Sequence, residues 1–137
     1  MRHRVNSTKL GRSSAHQSAL AASLVCNLIK SKNRRIKTTL AKAKVTRSLA
    51  EKMVTVARRD SVAARRKAMA TLRQKDAVGM LFADIVPICV GREGGYTRIL
   101  KLGRRSSDSS EMAIVEWVGI APDTAAADGD SDKKKTE

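Results

Sequence analysis

The sequence predicts an α+β fold: four helices packed on a small antiparallel sheet of two to three strands, with a basic N-terminal extension and a disordered acidic C-terminal tail. Three observations lead there. Apolar residues recur at helical spacing from Ser14 to Val86; after Pro87 they alternate along short runs; and both ends of the 137-residue chain are poor in large apolar side chains. Residues 1–13 are read as the extension, 14–121 as a single domain, and 122–137 as the tail.

The opening stretch MRHRVNSTKLGR carries Arg2, His3, Arg4, Lys9 and Arg12, with only Val5 and Leu10 as sizeable apolar groups after Met1. It buries almost nothing by itself and is expected to take its shape from a partner. Ser14 is placed to cap a first helix reaching Lys32, in which Leu20, Leu24 and Leu28 recur beside Ala21, Val25 and Ile29. KSKNRRIKTT breaks that period, and its Arg35–Thr39 portion reads as a short strand or an extended connection. A second helix follows from Leu40 to Arg59, with Val45, Leu49, Met53 and Val56 as its apolar stripe. Asp60 or Ser61 caps a third, running to about Gln74, with Val62, Met69 and Leu72 inward and Arg65, Arg66 and Arg73 outward. Asp76 caps a fourth, which Pro87 stops.

GREGG is then a corner, and YTRILKLG alternates, with Ile99 on one side and Tyr96, Arg98, Leu100 and Leu102 on the other. RRSSDSS is a polar turn, and MAIVEWVG a second strand with Met112, Ile114 and Val118 on one face. The pair makes an antiparallel hairpin. A lone hairpin is marginal, so RRIKTT is a candidate third strand. Beyond Pro122 the chain has no large apolar residue.

Charge carries the functional argument. The formal net charge is +15, unevenly spread. Residues 1–105 hold 25 basic and 5 acidic side chains, a surplus of +20; residues 106–137 hold 3 and 8, a balance of −5. A compact body with such a surplus repels itself unless a polyanion neutralises it, which points to nucleic acid before a small substrate. An acidic membrane surface is the rival, yet no segment sets bulky aromatics beside a basic face. Neither a spanning helix nor a secretory leader is expected, since no apolar run approaches about 20 residues. A transit peptide, also basic and poor in acids, is harder to separate. Cys26 and Cys89 are too few for a disulfide framework and are expected to be reduced residues of the core in a cytoplasmic protein.

Catalytic signatures fail. No phosphate-loop pattern occurs, and GREGGYTR lacks the strand-to-helix setting one needs. His3 and His16 stand without a nearby carboxylate, so neither a metal site nor a catalytic base is expected, and no cofactor. What remains is basic segments. KSKNRRIKTTLAKAK sets seven cations within fifteen residues at a helix-to-helix junction, with Arg34, Arg35, Lys37, Lys42 and Lys44 among them. Only Phe82, Tyr96 and Trp117 are aromatic, too few for a base-stacking platform. No compact helix-turn-helix is evident either. The reading is recognition of RNA shape and backbone, with a DNA-compacting protein and an RNA-processing enzyme as alternatives.

The stretches MRHR, KTTLAKAK through EKMVTVAR, DSVAARR and GGYTRILKLG, in that order, resemble the bacterial ribosomal large-subunit protein seventeen family over about residues 1–119. The resemblance implies an α+β structural protein of the large ribosomal subunit, cytoplasmic, bound to large-subunit rRNA near the exit side of the peptide tunnel, beside neighbouring ribosomal proteins, with no membrane and no small-molecule substrate. Carried over by position, Arg2, His3 and Arg4 form the RNA-entering extension. Lys37, Thr38, Thr39, Lys42 and Lys44 mark a strand-to-helix corner, and Gly94 to Arg98 the turn into the hairpin. Together with Lys9, Arg12, His16, Arg34, Arg35, Arg65 and Arg66 from the charge reading, these include the expected rRNA contacts, Tyr96 and Arg98 among them. The acidic tail lies outside the shared region.

Overall fold

The computed structural model describes residue 8 and residues 10–119. Arg2, His3, Arg4 and Lys9 of the extension, and the tail expected over 122–137, lie outside the described residues. The elements are α1 (Ser14–Lys30), β1 (Arg35–Thr39), α2 (Leu40–Ala57), α3 (Val62–Leu72), α4 (Lys75–Met80), α5 (Val86–Ile88), β2 (Thr97–Arg104) and β3 (Glu111–Trp117). A π-helical turn, Leu81–Ile85, joins α4 to α5, so these form one continuous fourth helical run. The architecture is α+β, as the periodicities predict.

Local chemistry fixes the boundaries. α1 is capped one residue earlier than expected: the Ser13 hydroxyl accepts from the His16 N–H. At α3, Ser61 rather than Asp60 caps, accepting from the Ala64 N–H at 3.1 Å, while Asp60 pairs with Arg65 at 2.6 Å. Gln74 occupies the cap position of α4, and Asp76 sits in its first turn, where a negative charge suits the helix dipole. Pro87 does not end the fourth run. The Val86 N–H bonds the Leu81 carbonyl, five residues back, and this widened turn makes room for a ring that would strike the carbonyl four residues earlier in a regular helix.

RRIKTT does supply the third strand. The sheet order is β1-β3-β2, antiparallel throughout, with Ile36 and Ile99 flanking Val115. One face, carrying Ile36, Ile99, Ala113, Val115 and Trp117, packs on the helices; α2 is the element that touches every strand. The opposite face carries Arg35, Lys37, Arg98, Leu100 and Ile114. Tyr96 precedes β2, so strand alternation does not govern it, and it is buried in the core. Leu102 is displaced from the expected alternation by a bulge between Lys101 and Gly103, where Gly103 takes φ +91°.

The buried face of α2 is Ala43, Thr46, Ala50, Met53, Val54 and Ala57. Of the expected stripe only Met53 is fully inside; Val45, Leu49 and Val56 are half-buried. The helix lies among α1, α3 and the sheet, and alanines let those neighbours come close. Buried Thr46 is satisfied because its hydroxyl donates to the Lys42 carbonyl at 2.9 Å. Val62, expected inward, is 67 % exposed at the start of α3, where Ala64, Ala68 and Leu72 face the core instead. Cys26 and Cys89 are both buried and unpaired, and burial pushes both thiols up from their ordinary pKa.

One carboxylate ties the hairpin to the helices. Glu51 of α2 accepts from the Tyr96 N–H at 3.1 Å, and from the Thr97 N–H and hydroxyl at 2.9 Å each. It thus sets where β2 begins. Glu51→Gln keeps the shape but loses charge assistance and one acceptor oxygen, and is expected to cost about 1–2 kcal/mol. Urea unfolding followed by the fluorescence of Trp117, the single tryptophan, reads this; an unchanged midpoint would remove the clamp from the account.

Candidate nucleic-acid interface

Cations outnumber carboxylates so strongly that pairing consumes few of them. Five ion pairs form among the described residues: Lys30–Asp76, Arg34–Asp84, Arg65–Asp60, Arg98–Glu116 and Arg105–Asp108. Lys37, Lys44 and Arg66 are exposed, and none belongs to these pairs. In the Arg105 pair, the guanidinium and the Ser110 hydroxyl and N–H hold the Asp108 carboxyl well below the usual carboxylate range.

The corner between β1 and α2 concentrates the predicted residues. Lys37 lies on the outer face of the sheet opposite Ile114, and Thr39 opposite Met112. Thr39 is also the residue before α2, whose first two turns carry half-buried Lys42 and exposed Lys44. Thr38, by alternation, turns toward the helical side and is half-buried. Next along the outer face, Glu116 lies directly between Arg35 on β1 and Arg98 on β2 in the register, and Arg98 Nε donates to its carboxylate. The row Arg35–Glu116–Arg98 therefore keeps a net positive charge while its one acid holds Arg98 in place.

Other predicted residues lie elsewhere. Arg12 is half-buried before α1 and donates to the Leu10 carbonyl at 2.8 Å; His16 is exposed in the first turn of α1. Arg65 and Arg66 are exposed on α3, the Arg65 guanidinium lying 4.4 Å above the centre of the Phe82 ring.

Two residues have structural work that the charge reading did not foresee. Tyr96 is 1 % exposed; its hydroxyl accepts from Arg58 at 3.0 Å and donates to the Arg92 carbonyl, so it presents no surface to a partner. Arg34, at φ +52°, bonds the Ile29 carbonyl at the end of α1 and pairs with Asp84 at 2.6 Å. It ties α1 to the fourth helical run. An acid fifty residues away gives no local signal of such a pairing. Lys52 and Arg73, which were not among the expected contacts, border a cleft between α1, α2 and α3.

No helix among the described residues is long and apolar enough to cross a membrane, and no group of His, Cys, Asp and Glu among them is placed to hold a metal ion. A small α+β body with so many cations outside ion pairs among the described residues carries charge that a polyanion would neutralise. Comparison with known proteins is specific. The family described as Ribosomal protein L17 matches residues 20–118. A relative from Akkermansia muciniphila, named large ribosomal subunit protein bL17, is 47% identical over 125 residues, covering 91% of this chain and 90% of its own. Proteins of the same name from Methylacidiphilum infernorum and Desulforapulum autotrophicum are each 48% identical, over 85% and 86% of this chain and 88% and 97% of their own. The chain belongs to the ribosomal protein L17 family.

Proposed function

We propose that this chain is a non-catalytic structural constituent of the large ribosomal subunit, cytoplasmic in the assembled particle, which binds large-subunit rRNA by phosphate and shape recognition and supports subunit assembly. The observation that carries the reading is the large excess of cations over carboxylates on a folded body that belongs to this family. The strand-to-helix corner at Lys37, Thr39, Lys42 and Lys44 and the row of Arg35 and Arg98 supply phosphate donors from rigid elements. Arg12, His16, Arg65 and Arg66 extend that contact, and the extension with Arg2, His3, Arg4 and Lys9 adds further phosphate donors. Neighbouring large-subunit proteins are the remaining partners; no membrane and no small-molecule substrate enters. Thr38 and Tyr96 are left out of the contact set.

The test is sedimentation of cell lysate with mass detection of this polypeptide after a high-salt wash. It is expected in the large-subunit fraction and to remain there. Recovery among free proteins, or preferential binding of duplex DNA over structured rRNA by the purified chain, would overturn the reading.

A further inference from the structure

A cleft of about 470 Å³ opens between α1, α2 and α3, within the range of sites that enclose small ligands. Its lining has two characters. Val45, Leu49 and Ala70 give apolar surface, while Lys44, Lys52 and Arg73 give three cations, and no carboxylate lines it. Hydroxyls complete it: those of Ser18 and Thr71 donate to their own helices at 3.0 Å each, which leaves oxygen lone pairs to accept from a ligand. Apolar walls, acceptors and a cationic border match the three parts of a nucleotide: a flat base, its polar edge and a phosphate.

Arg73 adds a second argument. It closes α3 with φ +59°, the left-handed conformation that helix ends normally give to glycine. Its cation thus borders the cleft from a backbone position that an L side chain occupies at a conformational cost. The structure assigns the α1–α2–α3 cleft to a single unstacked nucleotide of the bound RNA, its base against Val45 and Leu49 and its phosphate near Lys44, Lys52 and Arg73. This rests on the rRNA-binding reading and deepens it, because it adds a contact that is not purely ionic to a surface otherwise explained by charge. An acidic protein segment would satisfy the same cations, but it would make no particular use of the apolar walls.

The test uses the full chain and protein-free large-subunit rRNA. Ser18→Leu/Ser48→Leu fills the cleft from two sides without altering charge. It is expected to weaken binding about 5- to 10-fold, with most of that loss persisting at high salt, because apolar base contacts release no counterions. Arg73→Gly is expected to lower the salt slope by about one while the melting temperature stays level or rises. Ser48→Cys carrying a photoreactive group, in assembled subunits, should cross-link to one nucleotide; the buried native thiols compete poorly for the reagent. Unchanged affinity in a natively melting filled variant, or a cross-link to another protein, sinks the cleft assignment while leaving rRNA binding intact. If the filled variant melts early, the cross-link decides. Failure of the wild-type chain to bind rRNA at all would remove the underlying reading as well.

Discussion

Between 50 and 200 mM salt, the affinity of the full chain for large-subunit rRNA is expected to fall by about 10³–10⁵, the loss that accompanies roughly 6–10 neutralised phosphates. Few of the cations are engaged with carboxylates among the described residues. On the proposed function, displacing condensed counterions from RNA would supply much of the binding free energy, and added salt would cancel that gain. The slope of log affinity against log salt is the measurement, and a flat line would contradict phosphate recognition. Single substitutions should then divide in two. Lys44→Ala removes an exposed cation that pairs with no carboxylate among the described residues and should reduce the slope by about one without loss of stability. Arg34→Ala should behave differently from what its place in a basic run suggests. It leaves Asp84 and the Ile29 carbonyl unpaired at the joint between α1 and the fourth helical run, so it should lower the melting temperature more than the salt slope.

That contrast shows which parts of the molecule were legible beforehand. Residues that act through their own neighbours could be read. β-branched Thr38 and Thr39 marked β1, serines marked the starts of α1 and α3 to within a residue, and the switch to alternation marked the hairpin. Residues whose role depends on distant segments could not. Half of the buried face of α2 is alanine, because three neighbours crowd it, whereas periodicity rewards the larger Val45, Leu49 and Val56 that sit at its edges. Tyr96 enters the expected rRNA contacts only through its place in the GGYTR motif, yet Glu51, forty-five residues earlier, draws its backbone to α2 while its ring enters the core. The site followed the same rule. Exposed cations such as Lys37 and Lys44 are recognisable from charge alone, but the cleft bordered by Lys52 and Arg73 exists only once α1, α2 and α3 are brought together.

Leu28→Ala is expected to destabilise the domain by about 2–5 kcal/mol, since truncating a core leucine loses its transfer free energy and leaves a cavity that rigid neighbours fill only in part. Leu28 is fully buried on α1 within the same core cluster as Val54, Leu72, Leu81 and Ile85, and a close-packed interior relaxes only partly around a missing side chain. Leu49→Ala, which helical periodicity on α2 ranks as the comparable loss, should cost less, about 1–2 kcal/mol, because its half-buried side chain borders the open cleft and surrenders less apolar area. Urea unfolding followed by Trp117 fluorescence orders the two directly, that ring lying 2 % exposed on β3 in the same core. Domains of this size hold about 5–15 kcal/mol in total, so the Leu28 variant should show a clearly lowered midpoint. An equal or larger loss at Leu49 would mean that α2, rather than the α1 face around Leu28, contributes the greater part of the core.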